Sequence, residues 1–160
     1  MLLVVSDTHI SDRKKKLPEE FLSQIKPGDI IFHSGDFVSL SVLKDLEQKA
    51  ELIAVCGNMD EPDIKKNLPA KRVVSISGIK IGIIHGWGSP FGIAQRVYSE
   101  FEEKPEVIIF GHAHRVIQKR IGSTWLFNPG SLSGNILSSK SSFGILKVEP
   151  GEVWSEVVEF

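Results

Sequence analysis

Leu2-Leu3-Val4-Val5-Ser6-Asp7-Thr8-His9 decides the reading of the fold. A nearly continuous apolar, β-branched run belongs to a strand buried on both faces, as in a parallel sheet. This run ends in a carboxylate and an imidazole two positions apart. In extended backbone, side chains two apart point the same way, so Asp7 and His9 are expected to share a ligand. The pattern recurs down the chain. Residues 30–34 lead to Gly35-Asp36, residues 52–56 to Gly57-Asn58, and Val107–Phe110 to Gly111-His112-Ala113-His114. His85 closes a further apolar run, Ile79–Ile84.

Helical signals lie between these runs. Pro18 with Glu19 and Glu20 suits a helix N-terminus over residues 18–25. Residues 41–48 place Val42, Leu43 and Leu46 on one face, and residues 94–103 carry Val97 and Phe101 four apart. Strand, helix and strand in alternation is the βαβ signature. The second half changes character. Residues 73–77 and 79–84 form an expected hairpin across Gly78. Val116–Ile121 and residues 124–127, 143–148 and 153–159 read as antiparallel strands, with turns at Gly122-Ser123 and Pro150-Gly151. Residues 131–142 read as an irregular loop. The expected architecture is α/β: two facing mixed β-sheets flanked by helices, in one domain over residues 1–160.

Composition supports a folded domain. The 160 residues are 41% hydrophobic and 24% charged, which excludes bulk disorder. The 19 basic and 20 acidic residues leave a net charge of -1, so no overall basic excess draws the chain to nucleic acid or anionic lipid. No apolar run is long enough for a membrane span. The single cysteine, Cys56, excludes an intramolecular disulfide, and the default expectation is a soluble cytoplasmic domain.

Five runs thus end in metal-competent side chains. Sheets of this kind bind ligands outside the carboxyl ends of their strands, where these residues would converge. The set holds two carboxylates, one amide and four imidazoles, and no thiolate. It suits Mn, Fe, Zn, Ni or Co, and is rich in nitrogen for Mg or Ca.

In order and type, Asp7-x-His9, Gly35-Asp36, Gly57-Asn58, His85 and Gly111-His112-x-His114 resemble the calcineurin-like metallophosphoesterases. Asn128-Pro129-Gly130-Ser131 is similar to a small single-domain subfamily of archaeal and bacterial phosphodiesterases with a Vps29-like fold. The resemblance implies a binuclear metal site. Asp7, His9 and His114 would hold one divalent ion, Asn58, His85 and His112 the other, and Asp36 would bridge, with Mn expected first. It implies hydrolysis of a phosphoester by metal-activated hydroxide, with Asp36, Asn58 and His112 as catalytic residues.

Two departures from the family pattern matter. Met59 stands where relatives often carry a histidine, and a thioether has no proton to give a leaving group. This favours a phosphodiester, or an ester with an acidic leaving group, over an alkyl monoester. Trp87 stands where relatives often have a second histidine. It is read either as a platform for a nucleobase or as a packed or partly exposed aromatic. Asp60 is read either as a hydrogen-bond partner of a ligand histidine or as a turn residue. Asn128 is read as lining the site or as starting the turn before Pro129. His33 is expected to be structural or to support the ligands from behind, since alternation directs it away from the rim residues. Arg13-Lys14-Lys15-Lys16 is either a cationic flap or a solvated loop. The expected partner is a small phosphoester, with nucleotides among the candidates. Residues 153–159 could pair chains through a sheet edge. The competing functional class is a non-catalytic protein scaffold of the Vps29 type.

Overall fold

The computed structural model describes residues 1–11, 16–134, 140–149 and 152–160. In chain order the elements are β1 (Leu2–Val5), α1 (Glu19–Leu22), β2 (Ile30–His33), α2 (Leu40–Glu47), β3 (Glu51–Ala54), α3 (Pro62–Asn67), β4 (Lys71–Ile76), β5 (Ile79–Ile84), α4 (Ile93–Ser99), β6 (Val107–Phe110), β7 (Val116–Ile121), β8 (Thr124–Pro129), β9 (Ser142–Glu149) and β10 (Glu152–Glu159). They form two five-stranded sheets, ordered β10-β9-β1-β2-β3 and β4-β5-β6-β8-β7. Each sheet is mixed. β1, β2 and β3 run parallel, as do β5, β6 and β8, and the remaining pairs are antiparallel.

Side-chain alternation builds the layers. In β1, Val4 faces the opposite sheet, while Leu3 and Val5 face the helices. In β6, Val107 and Ile109 point inward, and Ile108 and Phe110 meet α4. The inner layer joins Val4, Phe32 and Ile53 of one sheet to Ile81, Ile83, Ile109 and Phe127 of the other. Phe21, Val42, Leu46 and Ile64 of the first three helices cover one outer face, and Ile93 and Val97 of α4 cover the other. Gly144 of β9 permits the sheets to close, since a Cβ there would lie 2.3 Å from Cζ of Phe127.

Several expected elements differ in detail. α1 is a single α-helical turn, shorter than residues 18–25, and beyond it the chain continues in tighter turns, with the Gln24 amide donating to the Phe21 carbonyl (3.0 Å) and the Ile25 amide to that of Leu22 (3.2 Å). α4 ends at Ser99, short of residue 103, although Phe101 is still buried in the layer beneath it. α3, which begins on Pro62 at its first turn, was not expected. β8 runs parallel to β6 and antiparallel only to β7, so it belongs to the parallel core of its sheet. The turn expected at Pro150-Gly151, residues 135–139 of the expected loop, and Arg13, Lys14 and Lys15 of the basic run lie outside the described residues; Lys16 is exposed.

Candidate metal centre

The five strands whose ends carry the candidate ligands are β1, β2, β3, β5 and β6, three from one sheet and two from the other. Their carboxyl ends meet at one rim, held together by backbone hydrogen bonds between loops. The Asp7 amide donates to the Gly35 carbonyl (3.1 Å), the His9 amide to Asp36 (3.1 Å) and the Gly111 amide to His85 (3.0 Å). Asp7, Asp36 and His85 form a buried floor. His9, His112 and His114 are half-buried, and Asn58 is exposed at the rim.

Asp7 and His9 do converge, but not through extended backbone. Their φ angles are 51° and 46°, in the left-handed region. Asp36 (60°), His112 (66°) and His114 (51°) share that conformation. Five of the seven non-glycine residues with positive φ among the described residues are thus candidate ligands. Each such residue stores on the order of 1–3 kcal/mol of strain, which persists where surrounding contacts over-determine it.

Four candidate ligands, Asp7, His9, Asp36 and His114, bring their ligand atoms within 4.8 Å of one another. His114 Nε2 lies 3.0 Å from Asp7 Oδ1 and 3.1 Å from His9 Nε2. Asp7 Oδ1 is fully buried yet takes no well-formed hydrogen bond. Its other oxygen accepts from Ser6 Oγ (2.6 Å) and from the His112 amide (3.0 Å). An orphaned carboxylate oxygen facing two imidazole nitrogens fits a cation.

A second convergence adjoins the first. His85 Nδ1–H donates to the Ser34 carbonyl (2.7 Å), and His112 Nε2–H donates to the Gly88 carbonyl (2.9 Å). Each tautomer is thereby set, and the other ring nitrogen turns its lone pair to the site. Those nitrogens each lie 3.1 Å from Asn58 Oδ1, and His85 Nε2 lies 3.3 Å from Asp36 Oδ2. Such a meeting of lone pairs also fits a cation. Asp36 Oδ2 stands between the two groups, 3.7 Å from His9 Nε2 on the other side.

The electrostatics agree. Burial pushes the Asp7 and Asp36 carboxyls upward, but the imidazoles of His114, His9 and His85 beside Asp7, and of His85 beside Asp36, hold both below the ordinary range. Burial opposes charge on His85, yet Asp36 and Asp7 raise it above its usual value; Asp7 likewise raises His114 against burial. The two carboxylates make the site favour positive charge.

The supporting residues decide between the alternatives open for Asp60 and Asn128, in favour of the turn reading in each case. Asp60 touches no ligand histidine. It accepts from the backbone amides of Gly57 (2.7 Å), Val38 (2.8 Å) and Asp36 (3.2 Å), which fixes the strained turn around Asp36. Burial raises its carboxyl above the ordinary value despite these donors. Asn128 is buried and does not line the centre. Its amide donates to the Gly111 carbonyl (2.8 Å) and its oxygen accepts from Gly130, so it braces the loop that carries His112 and His114. Gly111 must lack a side chain there, because a Cβ would fall 1.9 Å from Ser6 Oγ. His33 is structural as expected. It is fully buried, stacks on Phe37, bonds Thr8 Oγ1 (2.7 Å) and accepts from the Gly35 amide. Trp87 is exposed beside His85 and is not packed into the core. Ser6, Ser34 and Ser131 were not anticipated; Ser131 Oγ donates to the Asp7 carbonyl (2.8 Å). A serine has too many ordinary uses to be singled out from sequence, though Ser6 directly precedes a ligand.

Comparison with known proteins places this geometry. The model of the calcineurin-like phosphoesterase superfamily domain matches residues 1–151. A probable metallophosphoesterase of Methanothermobacter thermautotrophicus is 32% identical, over 97% of this chain and 90% of that protein. A phosphodiesterase of Methanocaldococcus jannaschii is 30% identical, over 82% of this chain and 83% of its own length. The fold of Vps29 from Entamoeba histolytica, solved in complex with Zn2+, superposes with a TM-score of 0.75 over 99% of this chain and 98% of that one, at 24% identity. The paired five-stranded sheets, the electron-rich rim and the match over nearly the whole length agree: this chain belongs to the calcineurin-like phosphoesterase superfamily, a family of metal-dependent hydrolases.

Proposed function

We propose that this protein is a phosphodiesterase with a two-metal centre. Asp7, His9 and His114 would hold one divalent ion, Asn58, His85 and His112 the other, and Asp36 would bridge them. The single observation that carries this reading is the convergence of carboxylate, imidazole and amide ligand atoms around Asp36 Oδ2, with Asp7 Oδ1 buried and lacking a well-formed hydrogen bond. Mn is the first expectation, and Ni, Co, Fe and Zn suit the same donors. When bound, two such ions polarise phosphoryl oxygens and lower the pKa of water, supplying a nucleophile near neutral pH.

The chain's own residues set the geometry. Asp36 Oδ1 accepts from the Met59 amide (2.7 Å), which turns Oδ2 to the junction of the two groups. The Ser34 and Gly88 carbonyls hold His85 and His112 in the ligating tautomers. Met59 is exposed at the rim and has no proton for a leaving group. A phosphodiester, or an ester with an acidic leaving group, is therefore the proposed substrate class, in line with the phosphodiesterase relative. The substrate would be small, with nucleotides included.

The test is hydrolysis of bis-p-nitrophenyl phosphate against p-nitrophenyl phosphate after EDTA treatment, with Mn, Ni, Co, Zn and Mg restored separately. Diester hydrolysis should return with a transition metal and fall at least ~100-fold in Asp36→Ala and His112→Ala. A scaffold of the Vps29 type is the second reading, favoured by the exposed apolar residues Met59, Trp87 and Phe91 near the rim. Metal binding without hydrolysis of either ester would support that reading and overturn the enzyme.

A further inference from the structure

The loop between β5 and α4 carries Trp87, Gly88, Ser89, Pro90, Phe91 and Gly92, and all six are exposed. Apolar burial therefore cannot hold it. Arginine side chains hold it instead, chiefly one from α4. Arg96 donates through Nη1 to the Phe91 carbonyl (2.9 Å) and through Nη2 to the carbonyls of Trp87 (3.0 Å) and Ser89. Its Nε is buried without an acceptor, so the hydrogen bonds of the guanidinium are spent on this loop. Arg115 adds a bond to the Pro90 carbonyl (3.2 Å).

The Gly88 carbonyl sits between the clamped carbonyls of Trp87 and Ser89. It is also the group that accepts from His112 Nε2–H. A carbonyl fixed on both sides cannot swing away from the imidazole without breaking the bonds to Arg96. We infer that Arg96 is a positioning residue for His112, acting through the Gly88 carbonyl to keep the proton on Nε2 and the Nδ1 lone pair on the candidate metal centre. Arg96 touches neither the other ligands nor the reacting groups. The consequence for metal binding rests on the two-metal reading; the effect on the imidazole does not.

The test compares wild type with Arg96→Ala and Arg96→Lys. A lysine keeps the charge but cannot span three carbonyls, because its ammonium is a point donor without the guanidinium fork. Nitrogen-15 spectra of the histidine rings, recorded on chelator-treated protein, report the tautomer directly. Wild-type His112 should be in the Nε2–H form, and both variants should lose that preference. Calorimetric titration with Co2+ supplies the second readout. One equivalent should bind within about twofold of wild type, while the other weakens by about 10-fold, as for other residues that orient a ligand from outside its shell.

Retention of the Nε2–H form in both variants would overturn the assignment. Equal weakening of both equivalents together with a lower melting temperature would also overturn it, by showing a merely structural role. A wild-type chain that binds one equivalent contradicts the two-metal reading, and the ring spectra then decide the role of Arg96 alone.

Discussion

At the scale of single residues, the candidate ligands are held in place by strain and by buried acceptors. Asp60 accepts from three backbone amides, those of Asp36 and Val38, two residues with positive φ in one turn, and that of Gly57 in the neighbouring loop. Removing it leaves three donors unsatisfied, each costing about 1–3 kcal/mol. Asp60→Ala should therefore lower unfolding stability by at least ~3 kcal/mol and weaken metal binding; a loss under ~1 kcal/mol by urea titration would contradict this role. His33 gives a pH test. Burial pushes its pKa down to about 3 from an ordinary 6.5. Between those values the unfolded chain binds a proton that the native chain refuses, so stability falls as pH drops below 6.5. His33→Gln should make that decline shallower by up to about 1.4 kcal/mol per pH unit, and an unchanged slope would be the contrary result. All seven candidate ligands were legible in the sequence, because metal-competent side chains directly after apolar runs are conspicuous. The partners of Asp60 were not, since a carboxylate in a turn does not reveal which donors it faces. Arg96 carried no signal, because its role depends on where a loop folds back.

At the scale of elements, apolar runs located nearly every strand, and alternation in β1 and β6 assigned each face. Short helices were harder. α1 and α3 span 4 and 6 residues, too few for a helical period to show, and only Pro62 marked the start of α3. The pairing of β8 with β6 was also hidden, because direction is settled by which sheet a strand joins. Sheet packing offers its own prediction. A Cβ at Gly144 would lie 2.3 Å from Cζ and 2.4 Å from Cε1 of Phe127, a fully buried ring in the opposite sheet. Gly144→Ala should destabilise the fold by about 2–3 kcal/mol, the upper range for overpacking. Denaturation at the wild-type midpoint would mean that the sheets slide apart freely.

For the whole molecule, the central feature is the meeting of two sheet rims. Neither sheet holds the centre alone: Asp7, His9, Asp36 and Asn58 follow strands of one, and His85, His112 and His114 follow strands of the other. Cations bound there would tie the sheets together, so metal should favour the folded state by mass action. At 100 times the dissociation constant each site adds about 2.7 kcal/mol. For a chain of this size that raises the melting temperature by about 5–10 °C, and EDTA should reverse it in calorimetric scans. An EDTA-insensitive melting temperature in protein that has bound metal would contradict the tie. The most direct test of the two-metal centre is anomalous diffraction from crystals soaked in Mn2+. Two peaks about 3.5–4 Å apart are expected, both within bonding distance of Asp36, one beside His9 and His114 and the other beside His85 and His112. A single peak at saturating Mn2+, or two peaks that do not share Asp36, would contradict it.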